Sequence, residues 1–213
     1  MKRENPTKIE IIGDKMKTYL VGAMEHTADE DGGKGWRDYI KPKLEARGIY
    51  VFDPSFEEMI KVGMPTKEFH EKLNGLKRSG HWDIYISEMD KIWKGKSYID
   101  GEKKLMHIMG DKDYVMNSNF ITARIAPKDT PCGTYGEIYQ AWLFNIPVYL
   151  IAADMPKSNL NGSLIYWVLS SGGEIFPNWS QYLDHIDKVY KLKEDKSYYE
   201  KQKREEKDAS SNT

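Results

Sequence analysis

The stretch FITARIAPKDTPCGTYGEIYQAWLFNIPVYLIAA, residues 120–153, decides the fold. FITARIA (120–126) is a β-branched, apolar run, PVYLIAA (147–153) is a second, and between them GTYGEIYQAWLFN reads as a helix. Two such strands joined by a helix form a parallel crossover unit, which needs a sheet covered on both faces. Working outward, KTYLVGA (17–23) is an earlier strand. A helix WRDYIKPKLEARG (36–48) follows it, with Ile40 and Leu44 one turn apart and Gly48 as its stop, and then a strand IYVFD (49–53). Pro42 inside that helix predicts a bend or an early first turn. Downstream, NLNGSLIYWVLSSGG reads as a helix, EIF (174–176) as a short strand and WSQYLDHIDKVYK as a last helix. Repeated β/α alternation predicts a three-layer α/β/α sandwich around a Rossmann-like or flavodoxin-like parallel sheet.

The chain is expected to be a single domain over 1–192, with a long insertion at about 55–105 and a charged C-terminal tail at 193–213 that is a frayed helix or disordered. Within the middle, glycines divide helical pieces at roughly 66–77, 82–93 and 98–110, the last either ending there or running on through 111–118. Residues 1–15 read as a polar lead-in, with Ile9 to Ile12 packing on the body.

Of 213 residues, 39% are hydrophobic and 31% charged, and the 32 basic and 33 acidic residues leave a net charge of −1. No global field draws in nucleic acid or anionic membrane, so neither is an expected partner. The single cysteine, Cys132, excludes an internal disulfide and fits a reducing compartment. MKRENPTKIEIIGDKMK is too polar for a signal peptide and no run is long enough to span a membrane, so a cytoplasmic protein is expected. His26, His70, His81, His107 and His185 lack ligand spacing, so neither a metal nor a cofactor is expected. Cys132, with no histidine near it in sequence, reads as a packed or loop thiol rather than a nucleophile.

In parallel sheets ligands bind beyond the carboxyl ends of the strands, which directs attention to two loops. The loop after KTYLVGA carries Gly22, then Gly32, Gly33, Lys34 and Gly35 before Trp36 and Arg37. It is either an anion cradle, with Lys34 or Arg37 as its cation, or a Gly-rich surface loop. Trp36, Phe56 and Trp82 are candidates to stack on a flat ligand ring, or ordinary core aromatics. The loop after FITARIA carries PCGTYGE (131–137). With Gly133 and Thr134 in the turn, Glu137 falls in the first turn of the next helix, as a reactive carboxylate or as an acid favoured by the helix dipole.

KTYLVGA, GWRDYIKPKLEARGIYVFDP, DKDYVMNSNFITARI and GTYGEIYQAWLFNIPVYLI together resemble the nucleoside 2-deoxyribosyltransferases and their relatives, the 2'-deoxynucleoside 5'-monophosphate N-glycosidases. The resemblance runs in order over about 17–151, with the insertion matching poorly. A similar glycine-rich GT-x-x-E turn occurs in lysine-decarboxylase-like phosphoribohydrolases, which also cleave N-glycosidic bonds. The resemblance implies that Glu137 attacks the anomeric carbon of a deoxyribose and that Tyr19 holds it by a hydrogen bond. It also implies an aspartate touching sugar and base, which falls on Asp111 or Asp113. Two positions depart from the pattern: Pro131 stands where an acid is often found, leaving Asp111, Asp113 and Asp129 as alternative proton donors, and Asn119 replaces a common aspartate. The implied partners are a deoxynucleoside or deoxynucleotide and a nucleobase, in a homo-oligomer with shared sites. Asn161 and Ser163 are the candidates to reach a neighbour's site, unless they only cap the helix that follows. The implied reaction is transfer of deoxyribose between bases through a covalent deoxyribosyl-glutamate. The alternatives are hydrolysis of deoxynucleoside 5'-monophosphates and a non-catalytic nucleotide-binding module.

Overall fold

The computed structural model describes residues 15–24, 34–55, 61–99, 105–127, 129, 132–153 and 155–211. The expectations for Ile9 to Ile12, His26, Gly32, Gly33, Phe56 and Pro131, and for the Lys34 side chain, lie outside the described residues. Five parallel strands form the main sheet: β1 (Lys17–Gly22), β2 (Tyr50–Phe52), β5 (Phe120–Ile125), β6 (Val148–Ala152) and β7 (Glu174–Phe176). Their order is β2-β1-β5-β6-β7. The direction of winding reverses between β1 and β5, making this the switch-point crevice of a flavodoxin-like sheet. The register sets Tyr19 beside Ile121 and Gly22 beside Arg124.

Strand alternation sends successive side chains to opposite faces. On one face Tyr19, Val21, Ile121, Ala123, Val148 and Leu150 pack beneath α4 (Asp111–Met116), α5 (Cys132–Leu143) and α6 (Gly162–Ser170). On the other, Leu20, Phe120, Tyr149 and Ile151 pack beneath α1 (Lys34–Glu45) and α7 (Trp179–Tyr190). The three-layer α/β/α fold is therefore the one the alternation predicts. Pro42 lies inside α1, and the helix runs on to Glu45.

The insertion differs in part from its expected form. α2 (Thr66–Ser79) and α3 (Trp82–Trp93) stand where helices were expected. The described residues of 98–110 are not a helix: β3 (Lys96–Ile99) and β4 (Leu105–Ile108) pair antiparallel, Lys96 opposite Ile108. Short apolar runs do not distinguish strand from helix, and the Asp100-Gly101 dipeptide is a hairpin signal in the sequence. The insertion has a small core of its own, Phe69, Leu73 and Ile92, joined by Val62, Met64, Tyr85 and Met89. The charged C-terminal stretch forms a helix, α8 (Ser197–Ser211). Its Tyr198 hydroxyl donates to Glu45, and just before it the Asp195 amide donates to the Ala46 carbonyl. Among the described residues no helix is long and apolar enough to cross a membrane.

Candidate active site

A cavity of about 400 Å³ opens at the switch point. Its sheet side is formed by Tyr19, Gly22 and Met24, its helix side by Asp111 of α4 and by Cys132, Gly133, Thr134 and Glu137 of α5. The insertion supplies the facing wall: Phe69, His70, Leu73 and Lys77 from α2, Tyr85, Met89, Ile92 and Trp93 from α3.

Glu137 is the sixth residue of α5, which begins at Cys132, so it lies in the second turn rather than the first. Gly133 and Thr134 belong to the first helical turn rather than to a separate loop. The dipole acts within the first turn, so it does not explain this acid. One turn of helix after Gly133 carries the carboxylate inward until it is 8% exposed. The Tyr19 hydroxyl donates to Glu137 Oε1 at 2.9 Å. Burial and the neighbouring Asp111 carboxylate push the Glu137 pKa up to about 8. The Tyr19 hydrogen bond and the Arg37 and Lys61 charges pull in the other direction, favouring the ionised form. Burial and the two nearby acids hold the Tyr19 phenol well above its usual range, so it stays a donor.

Two glycines permit this approach of elements. A Cβ on Gly136 would lie 3.2 Å from the Trp93 ring, which packs the insertion against α5. A Cβ on Gly22 would lie 2.7 Å from the Trp36 ring and 3.2 Å from the Arg124 carbonyl. Gly136 therefore answers to packing across the crevice, and Gly22 to packing of β1 against Trp36 and the Arg124 carbonyl.

Asp111 opens α4, is 8% exposed and lines the cavity. Its Oδ1 accepts from Lys61 Nζ at 2.5 Å. The other two candidate acids are engaged elsewhere. Asp113 Oδ2 accepts from the Gly110 amide and meets His107 Nε2 at 2.8 Å, fixing the start of α4. Asp129 Oδ2 accepts from the Ala126 amide. Of the three, Asp111 alone is among the cavity-lining residues.

Trp36 and Arg37, near the start of α1, are turned inward. Arg37 is fully buried, donates to the Gly22 carbonyl at 2.8 Å and stands 3.9 Å from Asp53 Oδ1. It is thus a charge beneath the ends of β1 and β2, with its pKa lowered by burial. Trp36 stacks on Trp179 at 5.7 Å in the core rather than against the cavity. Trp82 is 57% exposed at the start of α3 and does not line the cavity. Asn161 is the N-cap of α6, its Oδ1 accepting from the Ser163 amide at 2.9 Å. Both residues are exposed and outside the cavity lining. Asn119 Oδ1 accepts from the Lys17 amide, tying β5 to the start of β1. Cys132 is exposed, at the cavity.

Lys61 and the insertion's aromatic wall were not singled out from sequence. They lie in the segment that matches the resembled family poorly, and a lone lysine carries no spacing signal. Among the described residues, no three histidine, cysteine, aspartate or glutamate side chains are grouped to hold a metal ion.

Searches against protein-family models and against curated proteins give no match. Among solved structures, the chain is similar to a conserved protein from Enterococcus faecalis V583, at 15% identity and a TM-score of 0.48, over 82% of this chain and 99% of that one. It is similar to the CMP N-glycosidase BcmB of Clostridium botulinum at 16% identity and a TM-score of 0.40, over 81% and 99% of the two chains. A third likeness is to a 2-deoxyribosyltransferase from Bacillus psychrosaccharolyticus, at 15% identity and 0.45, over 78% and 90%. These likenesses are distant, and the reading of activity rests on the cavity's side chains.

Proposed function

We propose that the protein cleaves the N-glycosidic bond of 2'-deoxynucleosides and transfers the deoxyribosyl group to a second nucleobase. The observation that carries this reading is a buried carboxylate at the switch point, Glu137, held by the Tyr19 hydroxyl beside a second acid, Asp111. Ionised Glu137 attacks the anomeric carbon, and the base leaves with the electron pair of the C–N bond. Asp111, the cavity-lining acid among the three candidates, takes the proton that Glu137 gives up and passes it to the departing base. A ring nitrogen of the second base then attacks the same carbon and releases Glu137. The insertion's aromatic wall, with Tyr85 and Trp93, offers apolar surface to a flat ring. Cytoplasmic residence and a homo-oligomer belong to the same reading.

A second reading, hydrolysis of deoxynucleoside 5'-monophosphates, is favoured by one observation. His70 and Lys77 of α2 both line the cavity, where they can meet a phosphate. One assay separates the two. The protein is incubated with a deoxynucleoside, or with its 5'-monophosphate, and a second free base. A new nucleoside supports transfer. Free deoxyribose phosphate, released from the nucleotide alone, supports the second reading and contradicts the first.

A further inference from the structure

Lys61 is an ammonium group only 4% exposed. Burying such a charge is unfavourable unless it is paired, and its pairing is specific. Nζ donates to Asp111 Oδ1 at 2.5 Å and lies 4.7 Å from the centre of the Tyr114 ring. Tyr114 in turn stacks on Tyr19 at 5.6 Å, and Tyr19 donates to Glu137. Both contacts of Lys61 thus lead to Glu137, one through Asp111 and the other through two stacked rings. The residue next to it, Val62, packs on the insertion's own core, so the position of this ammonium depends on how the insertion is seated.

We propose that Lys61 is a positioning residue: the insertion uses its ammonium to fix the Asp111 carboxylate and the Tyr114–Tyr19 stack beside Glu137, so that the attacking carboxylate is competent only with the insertion docked. This rests on the reading of Glu137 as nucleophile. Among the described residues, Tyr19 from β1, Asp111 from α4, Arg37 from α1 and Lys61 from the insertion act on that carboxylate. Asp111 opposes its ionisation, while Arg37 and Lys61 favour it. Without Lys61, Asp111 would lose the ammonium that balances its charge beside Glu137 and holds its Oδ1. The insertion therefore does more than wall off solvent.

The test follows the titration of the Glu137 carboxyl by carbon NMR, which needs no turnover, alongside the pH profile of kcat/KM for base release. Lys61→Met is expected to move the Glu137 titration to higher pH by about one unit, with about tenfold less of the ionised form at neutral pH. Lys61→Arg, which keeps the charge, is expected to leave the titration near its wild-type position. In Lys61→Met/Asp111→Asn it is expected to fall below wild type, because the opposing charge is gone. A Lys61→Met protein that loses thermal stability but titrates as wild type overturns the proposal. If that variant does not fold, a double variant titrating at or above wild type overturns it instead. Glu137→Gln is the separate control: retained base release there defeats the nucleophile reading, whatever Lys61 does.

Discussion

The two walls of the cavity are built by different rules. The sheet wall hangs on β1, β5 and α5, and its polar atoms are fixed by register: Tyr19 beside Ile121, and Glu137 one helical turn beyond Gly133. The insertion wall is mostly apolar and aromatic, with its own core of Phe69, Leu73 and Ile92. It meets the sheet wall through Lys61 on Asp111 and Trp93 on Gly136. On the proposed reading the sheet side holds the reacting groups, and the insertion side encloses them and, through Lys61, tunes them.

Substitutions on the two walls should therefore differ in kind. The largest effect is expected from Glu137→Gln, which removes the proposed nucleophile and should lower kcat for base release by roughly 10⁴-fold to 10⁶-fold, read by product chromatography. The same variant has a signed effect on stability. The Glu137 pKa of about 8 in the folded chain lies above its ordinary value of 4.5, so the folded state holds this proton more tightly than the unfolded state. Its contribution is fully present below about pH 4.5 and is lost as pH rises through 8, so Glu137→Gln should gain Tm relative to wild type at pH 9 and not at pH 4.

Tyr19→Phe comes next. Losing a hydrogen bond to a charged acceptor, worth about 1.5–3 kcal/mol, should lower kcat/KM by about 10-fold to 100-fold and move its pH limb upward. Leu73→Ala, on the other wall, should cost about 2–5 kcal/mol within the insertion's core. It should raise KM more than it lowers kcat, and a kcat loss as deep as that of Tyr19→Phe would break the division. Gly136→Ala is expected to be smallest, since the Trp93 ring needs to shift by only a few tenths of an ångström to clear the new methyl. A several-fold rise in KM with kcat unchanged would sharpen the division, because Gly136 lies on α5 yet acts through its insertion neighbour.

How much of this was legible follows the same line. The sheet was legible because FITARI and VYLIA are buried strands bounded by turn residues, and periodicity alone places them. Glu137 and Tyr19 could be picked out by the family resemblance, and the register then brings them within hydrogen-bonding distance. Arg37 and Trp36 could not be placed from sequence. A Gly-rich approach to a helix fits an anion cradle as well as it fits what is observed, an inward-turned guanidinium on the Gly22 carbonyl and a tryptophan in the core. Asp111, Asp113 and Asp129 were equivalent as letters, and only the amides of Gly110 and Ala126 show which two are engaged elsewhere. KSYI and LMHI, which form β3 and β4, are too short to show a period, which leaves the Asp100-Gly101 dipeptide as the one cue to their pairing. Lys61 was invisible because its partner lies 50 residues away, and no local pattern marks such a pairing.

The central claim is that Glu137 becomes covalently attached to the sugar. It is tested most directly by mixing the protein with a 2'-deoxynucleoside, quenching in acid before the intermediate is resolved, and mapping peptide masses. The expected result is a deoxyribosyl group on the peptide bearing Glu137, absent from Glu137→Gln. A wild-type protein that binds the nucleoside, releases no base and carries no sugar on that peptide would contradict the claim and make this a nucleotide-binding module instead.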